Sequence, residues 1–296
     1  MAAVIISGKD LSAQIREELK GRVARLKEKG VTPGLGVVLV GEDPASVSYV
    51  TAKAKGSEEI GMFEQTINLP ASTAEAEILA TVDRLNRDPK FNGILVQLPL
   101  PKGVSADKVI AFISPEKDVD GFHPINVGRL LRGEPCPLPC TPYGVVEMLT
   151  RAGHSPEGKH VVVCGRSNIV GKPLAALLIQ KKKGANATVT VCHTGTKDLR
   201  SFTLQADILV AAMGAPKAIT ADMVREGCVV IDVGVNRVPD PAAAKGFRLV
   251  GDCDFEAIKE KAAAITPVPG GVGPMTVTML LKNTVEAAER LAGISG

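Results

Sequence analysis

The sequence predicts an α/β protein of two domains, each built on a sheet of mostly parallel strands. Apolar runs that end in glycine, such as 35–41 (LGVVLVG) and 160–165 (HVVVCG), are typical of strands buried in a parallel sheet. Stretches with helical spacing separate these runs, which is the alternation of βαβ units. The alternation pauses at a proline-rich segment, 133–142 (GEPCPLPCTP), and then starts again. We interpret that segment as the connector between the domains.

The first element is a helix, because apolar residues recur there every three or four positions. These positions are Leu11, Ile15, Leu19, Val23 and Leu26. SGKD (7–10) precedes them and fits a capping box. The strand at 35–41 comes next, followed by a helix over about 44–60 and a short strand near 63–68.

Two further elements complete the first domain, which we expect to span 1–141. STAE (72–75) fits a second capping box and opens a helix that reaches about Asp88. NGILVQLPLP (92–101) is another buried strand, and its prolines end it.

The second half shows the same alternation of strands and helices, after a helix at about 142–152. Strands are predicted at 160–165, 187–193, 206–214 and 227–234, with a helix at 172–183 and a late pair of elements near 247–265. The second domain is therefore expected to span 142–274. The last helix, from about 275, follows this pattern and is expected to pack back on the first domain, up to 296.

Composition excludes several classes of function. The 296 residues carry a net charge of only +3, with no Trp and two Tyr, which argues against a nucleic-acid partner. No apolar stretch approaches the roughly 20 residues of a membrane span, and the N-terminus has no charged region of a signal peptide. The six cysteines form no CxxC pair, so we expect no metal site and a reducing, cytoplasmic location.

One turn in the second half has the context of a dinucleotide-binding loop. In VVVCGRSNIVGKP (161–173), Gly165 ends a buried strand and Gly171 precedes a helix. Backbone N–H groups at that helix start would meet a pyrophosphate. The spacing is not GxGxxG, and the alternative is a plain strand–helix turn.

The next strand favours NADP over NAD as the cofactor. An NAD site wants Asp or Glu at the end of the second strand, where this chain has His193 and Thr194. Arg166 supplies a guanidinium suited to a 2′-phosphate, although it could be a solvated loop residue. MGAP (213–216) and DVGVN (232–236) end later strands on the same sheet edge. The expected cofactor contacts are Gly165, Arg166, Ser167, Ile169, Val170, His193, Thr194, Gly214 and Val235.

A second group of polar residues lies in the first half. Tyr49 and Lys53 are four apart and share one face of a predicted helix, where desolvation can lower the proton affinity of a lysine. Gln97 ends a buried strand, a position from which an amide can meet a ligand. Asp118 and Asp120 lie in EKDVDGFHP (116–124). The alternatives are an exposed Tyr–Lys pair, a local loop contact and turn-capping carboxylates.

These stretches together resemble the bifunctional methylenetetrahydrofolate dehydrogenase/cyclohydrolase family. The matching motifs are SxxYVxxKxK (46–55), GILVQLPLP (93–101), PEKDVDGFHPxNxGRL (115–130), PCTPxG (139–144), GRSNIVGKP (165–173), VIDVGVN (230–236) and TPVPGGVGPMT (266–276). The resemblance implies a Rossmann-like NADP-binding second domain and a cleft between the domains. It also implies two reactions of one-carbon metabolism, which serves purine biosynthesis. These are NADP-dependent oxidation of 5,10-methylene-tetrahydrofolate and hydrolysis of the methenyl product to 10-formyl-tetrahydrofolate.

The resemblance also implies roles for individual residues. Lys53 is the main catalytic residue of hydrolysis, Tyr49 orients substrate beside it, Gln97 tunes it, and Asp120 anchors the pterin ring. Asp118 is left as structural. Further folate contacts are expected beside Gln97 and in the glycine-rich loop: Val96, Leu98, Pro269, Gly270, Gly271, Val272 and Gly273. A homodimer formed largely through the second domain is implied as well.

Three rival functions stay open at this level. One is a monofunctional, NAD-linked dehydrogenase of the same family, which Arg166 and the missing strand-end acid disfavour. Another is a non-catalytic folate- or NADP-binding homologue, which the retained polar residues disfavour. The third is a hydroxy- or amino-acid dehydrogenase, although the four His of the chain supply no evident His–Asp pair. An ATP-dependent ligase activity is not expected, because no GxxxxGK[ST] loop is present.

Overall fold

The computed structural model describes residues 2–243 and 246–294. The chain divides into two compact units. The six-stranded unit takes the residues up to Ser12 and Thr141–Thr276, and the three-stranded unit takes Ala13–Cys140 and the residues from Val277 onward. Within the described residues, no helix has both the length and the apolar character needed to cross a membrane.

Helices and strands alternate along the described residues. The strands are β1 (Val4–Ile5), β2 (Gly34–Val40), β3 (Phe63–Leu69), β4 (Gly93–Val96), β5 (His160–Cys164), β6 (Thr188–Cys192), β7 (Ile208–Ala211), β8 (Val229–Asp232), β9 (Asn236–Pro239), β10 (Phe247–Val250) and β11 (Ala264–Ile265). The helices are α1 (Gly8–Glu28), α2 (Pro44–Ile60), α3 (Glu75–Arg87), α4 (Ala106–Phe112), α5 (Pro124–Arg132), α6 (Cys140–Arg151), α7 (Gly171–Leu178), α8 (Leu199–Thr203), α9 (Phe255–Ile258) and α10 (Val272–Leu291). A short 3₁₀ helix covers Ala221–Met223.

The three-stranded unit is built on a parallel sheet in the order β3-β2-β4. All seven residues of the central strand β2 are buried, as its unbroken apolar run predicts. Side chains of α3 and α4 cover one face of this sheet. That core consists of Val38, Val40, Ile78, Val82, Leu85, Phe91, Ile94, Val96, Val109 and Ile113. Burial of each such side chain stabilises the fold by about 1.5–3 kcal/mol.

Local signals explain where α1 and α2 begin. Ser7 accepts a hydrogen bond from the Asp10 N–H at 3.2 Å, so the cap predicted at SGKD is confirmed. Asp43 caps α2 by accepting from the Ser46 N–H at 2.8 Å. The cap predicted at STAE is wrong, because the N-cap position of α3 is Ala74 and it makes no side-chain cap bond. The Glu75 carboxylate instead accepts from the Ser105 N–H at 2.9 Å.

The six-stranded unit has an all-parallel sheet in the order β1-β11-β8-β7-β5-β6. The chain leaves β5 to form β6 on one side and returns to form β7 on the other side. This reversal is the topological switch of doubly wound folds, where ligands bind at the carboxyl ends of the strands. The predicted α/β class and Rossmann-like second sheet are thereby confirmed.

The structure adds elements that the sequence pattern did not reveal. β1 pairs with β11 in the six-stranded sheet, so the first residues do not lie in the unit predicted for 1–141. β9 and β10 form an antiparallel pair beside that sheet. Both β1 and β11 contain only two residues, too few for a periodic pattern.

Two predicted helix bounds are wrong. α7 ends at Leu178 rather than 183, because the Leu178 carbonyl accepts from the Ala187 N–H at 2.9 Å and closes a turn over the exposed lysines 181–183. α10 begins at Val272 rather than 275. Val272 and Gly273 therefore belong to the first turn of a helix and not to the preceding loop.

Candidate active site

A buried lysine lies at the centre of the candidate site in the three-stranded unit. Lys53, on α2, is only 8% exposed. Its Nζ donates a hydrogen bond of 2.8 Å to Oε1 of Gln97, the residue that follows β4. The Gln97 side chain is held by a second bond, since its Nε2 donates to the Leu98 carbonyl at 2.7 Å. Its backbone N–H donates to the Val38 carbonyl at 2.9 Å, so the strand ladder fixes the amide beside the lysine.

Asp120 faces the same lysine and shares its electrostatic environment. Burial lowers the pKa of Lys53, while the negative charge of Asp120 opposes that shift. Burial raises the pKa of Asp120 to about 6; Lys53 opposes the rise and Asp118 adds to it. The site therefore holds an amine and a carboxyl group whose proton affinities approach each other, an arrangement common in acid–base catalysis.

Two residues beside Asp120 were not singled out by the sequence pattern as site residues. The Cys140 thiol lies 3.7 Å from Oδ1 of Asp120 and 3.4 Å from the Val119 carbonyl. Asn283, on α10, donates to the Val119 and Leu138 carbonyls, each at 2.7 Å. The PCTPxG motif marks Cys140, but nothing local in the sequence marks Asn283, which is 164 residues from Val119.

Asp118 supports the loop that carries Asp120. Its carboxylate is 1% exposed. It accepts from the Gly121 N–H at 3.1 Å, the His123 N–H at 2.8 Å and Nδ2 of Asn126 at 2.9 Å. These bonds satisfy the carboxylate within the protein, so Asp118 has a structural role and Asp120 remains available to a ligand.

The other predicted residues of this unit lie around the lysine. Tyr49 is one helical turn before Lys53 on α2 and is 42% exposed. Val96 is buried as the last residue of β4, and Leu98 is half-buried after it. Lys53, Gln97 and Asp120 thus form a group, with Tyr49 on the same helix face as the lysine.

The predicted cofactor residues all follow strands of the six-stranded sheet at its carboxyl edge. Gly165, Arg166, Ser167, Ile169 and Val170 join β5 to α7, while His193 and Thr194 follow β6. Gly214 follows β7 and Val235 follows β8. The Ser167 hydroxyl accepts from the Val170 N–H at 3.1 Å and shapes the turn before α7. The turn after β6 is held by the Gly195 N–H, which donates to Nδ1 of His193 at 3.0 Å.

The backbone at this edge fits a dinucleotide. A Cβ on Gly165 would lie 2.1 Å from the Ala212 carbonyl oxygen, and one on Gly171 would lie 2.0 Å from that of Gly165. Glycine is therefore required for the close turn. Gly214 has a φ of +66° and open space beside it. Arg166 is exposed, and no carboxylate follows β6 directly, which suits a 2′-phosphate better than free ribose hydroxyls.

The glycine-rich loop 266–276 belongs to the six-stranded unit. Gly271 is buried, and a Cβ on Gly8 would lie 1.8 Å from its carbonyl oxygen. Val272 is 4% exposed in α10. Pro269 is exposed, and Gly270 and Gly273 are half-buried. Five folate contacts are predicted in segment 266–276. Pro269, Gly270 and Gly273 are accessible to a ligand, whereas Gly271 and Val272 are buried by packing.

Comparison with protein families gives two matches that together cover most of the chain. Residues 139–292 match the tetrahydrofolate dehydrogenase/cyclohydrolase NAD(P)-binding domain. Residues 6–120 match the tetrahydrofolate dehydrogenase/cyclohydrolase catalytic domain.

Individual relatives cover nearly the whole length. The bifunctional protein FolD of Dehalococcoides mccartyi is 58% identical over 295 residues, which is 99% of each chain. The crystal structure of the bifunctional FolD enzyme of Campylobacter jejuni has a TM-score of 0.92 and 48% identity, covering 98% of this chain and all of the other. The Trypanosoma brucei FolD, solved with NADP and an inhibitor, has a TM-score of 0.93 and 40% identity, with 99% of each chain covered.

Proposed function

Because the chain belongs to the tetrahydrofolate dehydrogenase/cyclohydrolase family, we propose that Lys53, Gln97 and Asp120 form the centre of its active site. The protein is a bifunctional enzyme of one-carbon metabolism with NADP as its cofactor. It oxidises 5,10-methylene-tetrahydrofolate to the methenyl cation and hydrolyses that cation to 10-formyl-tetrahydrofolate. The observation that carries the site assignment is the buried Lys53 held 2.8 Å from Gln97 and facing Asp120.

The dehydrogenase step needs orientation more than acid–base chemistry. A hydride leaves the one-carbon bridge with its electron pair, and the cation that remains is stabilised by the adjacent nitrogens. Bound NADP supplies the acceptor for that hydride. The residues at the carboxyl edge of the six-stranded sheet would hold the nucleotide: Arg166 would pair with the 2′-phosphate, and the N–H groups of the Gly165–Gly171 turn would donate to the pyrophosphate. Ser167, Ile169, Val170, His193, Thr194, Gly214 and Val235 complete this surface.

The hydrolytic step depends on Lys53. Water adds to the methenyl carbon and loses one proton, which leaves a hydroxyl group on that carbon. The bond from the carbon to N5 then breaks, the hydroxyl proton passes to N5, and the formyl group stays on N10. Because burial lowers the pKa of Lys53, its amine loses its proton more readily than that of an exposed lysine and can accept the proton that the water gives up. Gln97 accepts the lysine's hydrogen bond and so directs the amine, and Tyr49 orients the substrate beside it.

Asp120 and the surrounding apolar residues bind the folate. The pterin ring presents an adjacent pair of N–H donors, which a carboxylate accepts in a two-point bond. We assign this role to Asp120, whose Oδ1 has the weak thiol donor of Cys140 beside it at 3.7 Å, whereas Asp118 is consumed by hydrogen bonds to its own loop. Val96 and Leu98 flank Gln97 on the substrate side. Pro269, Gly270 and Gly273 approach the flat ring with backbone.

We extend the proposal to assembly and location. The three-stranded unit serves folate binding and catalysis, and the six-stranded unit serves NADP binding. The enzyme acts as a homodimer in the cytoplasm, formed largely through the NADP-binding unit. Light scattering during size-exclusion chromatography tests the dimer, and a monomer mass over the working concentration range contradicts it.

Lys53→Met tests the site assignment. We expect it to abolish the cyclohydrolase activity, because it removes the proposed proton acceptor, while the affinity for NADP stays within about twofold of the wild type. Absorbance of the methenyl compound reports hydrolysis, and calorimetric titration reports NADP binding. Lys55→Met is the matched control, since Lys55 lies on the same helix but is exposed.

Hydrolysis at the wild-type rate in Lys53→Met contradicts the role of the lysine. Loss of hydrolysis in Lys55→Met to the same extent would show that the substitution disturbs α2 rather than the chemistry. The same assay, run with NADP and with NAD, also measures the preference of the dehydrogenase for its cofactor.

A further inference from the structure

A fully buried carboxylate lies behind the carboxyl edge of the six-stranded sheet. Asp252, two residues after β10, is 0% exposed. Its Oδ2 accepts from the Met213 N–H at 2.6 Å and the Gly214 N–H at 3.0 Å. Its Oδ1 accepts from the Ala215 N–H at 2.9 Å and from Nδ2 of Asn236 at 2.9 Å. Three consecutive backbone N–H groups of the turn after β7 therefore converge on one side chain.

A second carboxylate, Asp232 at the end of β8, holds Asp252 in place. Asp232 is 3% exposed. Its Oδ1 accepts from the Asp252 N–H at 2.9 Å and the Gly234 N–H at 3.0 Å, and its Oδ2 accepts from the Cys253 N–H at 2.8 Å. The two acids thus join the turn after β7, the turn after β8 and the segment that follows β10.

Glycines make this close approach possible. A Cβ on Gly234 would lie 2.2 Å from Oδ1 of Asp252, and one on Gly251 would lie 1.9 Å from Oδ2 of Asp232. Each carboxylate therefore occupies the space that a side chain would fill on the other's segment. This packing requires a carboxylate on each segment and a glycine opposite it, and it fixes the positions of the segments relative to one another.

The two turns held in this way present their outer faces to solvent. Met213 is 39% exposed, although its N–H donates to Asp252. Val235 is 50% exposed and lies between Gly234 and Asn236, which bind Asp232 and Asp252. Gly214 lies between two residues whose N–H groups also bind Asp252. Both turns follow strands β7 and β8, next to the topological switch where a nucleotide binds.

We propose that Asp252 is the positioning residue of the NADP site: through the turn 213–215 and Asn236, it sets the backbone against which the nucleotide lies. This inference rests on the proposed placement of NADP at the carboxyl edge. Asp252 is too deeply buried to touch a ligand and acts only through the N–H groups it accepts. The residues proposed for hydrolysis, Lys53, Gln97 and Asp120, lie in the three-stranded unit, so hydrolysis does not depend on Asp252.

The experiment compares Asp252→Asn with the wild type in both reactions. Asparagine keeps the size of the side chain but turns an N–H₂ group toward backbone donors, so the turn must move. We expect KM for NADP to rise at least about tenfold, since hydrogen bonds to a buried charged group are lost. The kcat of the dehydrogenase at saturating NADP should stay within about twofold, and so should cyclohydrolase activity measured without nucleotide.

Asp222→Asn is the matched control, because this acid lies in the same unit and its side chain is 66% exposed. Asn236→Ala is the milder variant for the case in which Asp252→Asn does not fold. It removes one of the four hydrogen bonds to Asp252 and should raise KM for NADP by a smaller factor.

Arg166→Ala separates this inference from the site on which it rests. A raised KM for NADP in both Arg166→Ala and Asp252→Asn, with hydrolysis retained, supports the inference. A raised KM in Arg166→Ala alone overturns the role of Asp252 and leaves the NADP site in place. Unchanged NADP binding in both variants overturns the site and the inference together. Equal loss of both activities in Asp252→Asn shows general destabilisation and also overturns the positioning role.

Discussion

At the scale of residues, the active site depends on a contact that no local pattern predicts. Tyr49 and Lys53 could be placed on one helix face from their spacing of four. Gln97 could be placed at a strand end, where polar side chains meet ligands. Lys53 and Gln97 meet at 2.8 Å across 44 residues of sequence, because α2 packs on the sheet in which β4 pairs with β2. The family motifs, rather than the helix and strand periodicity, were the sequence signal that assigned these residues to one site.

The pKa of Asp120 predicts a pH dependence of folate binding. Its folded pKa is raised to about 6, so the carboxylate that accepts the pterin N–H groups is lost as pH falls through about 6. We expect the affinity for a non-reacting tetrahydrofolate analogue to be constant above that pH. Below it, affinity should fall by roughly tenfold per pH unit. Calorimetric titration from about pH 5 to about pH 8 measures this profile.

Two variants check the origin of the profile. Asp120→Asn should bind weakly at every pH, with no inflection near 6. Lys53→Met removes the ammonium that lowers the pKa of Asp120, so its inflection should move to higher pH. A flat wild-type profile, or one that does not shift in Lys53→Met, is incompatible with Asp120 as the pterin anchor.

At the scale of elements, the sequence predicted most strands and helices but not all of their ends. Buried runs such as β2 and β5 were recognisable because parallel strands are apolar on both faces. The cap expected at STAE failed because Glu75 bonds to Ser105, a partner 30 residues away. The start of α10 at Val272 was hidden by glycine and proline in its first turn, residues that a propensity argument assigns to a loop.

The turn between β5 and α7 supports a prediction at this scale. Gly171→Ala would place a Cβ 2.0 Å from the Gly165 carbonyl oxygen, so the turn must open. We expect KM for NADP to rise by about tenfold or more while nucleotide-free hydrolysis persists, because the three-stranded unit is untouched. Steady-state kinetics of the two reactions measure both effects.

Gly128→Ala is the control for this substitution. Gly128 lies within α5, and an added Cβ meets nothing within 4 Å. Alanine there should leave both activities unchanged and stabilise the helix by a few tenths to about 1 kcal/mol. Normal NADP kinetics in Gly171→Ala would mean that the turn does not carry the nucleotide.

At the scale of the whole molecule, each end of the chain belongs to the unit whose other residues are distant from it in sequence. The residues up to Ser12 join the six-stranded unit, and those from Val277 onward join the three-stranded unit. The position of the C-terminal residues was predicted, since a helix follows the second βαβ series. The position of the N-terminal residues was not, because β1 contains only two residues and its partner in β11 (Ala264 for Val4) lies 260 residues further along the chain.

Ile6 allows the contribution of the N-terminal segment to be measured. Ile6 is 3% exposed, and its N–H donates to the Ile265 carbonyl at 2.9 Å. We expect Ile6→Ala to lower the free energy of unfolding of the six-stranded unit by about 2–5 kcal/mol. Val4→Ala, at a side chain 65% exposed, should change it by less than about 0.5 kcal/mol.

The two tyrosines provide the signal for this measurement. The chain has no Trp, and Tyr49 and Tyr143 lie in different units. In a Tyr49→Phe background, tyrosine fluorescence during urea unfolding reports only on the unit that contains Tyr143. An unfolding midpoint for Ile6→Ala equal to that of the background protein contradicts an integral role for the N-terminal segment.

The pairing of β1 with β11 has a consequence for synthesis on the ribosome. Val4 and Ile5 are synthesised 260 residues before their partners Ala264 and Ile265. At about 5–20 residues per second, this strand waits roughly 15–50 s for its partner. The six-stranded sheet therefore stays incomplete while β5 to β8 are being synthesised, because β11 follows them. The edge of β8 that pairs with β11 stays without its partner strand until Ile265 has been synthesised.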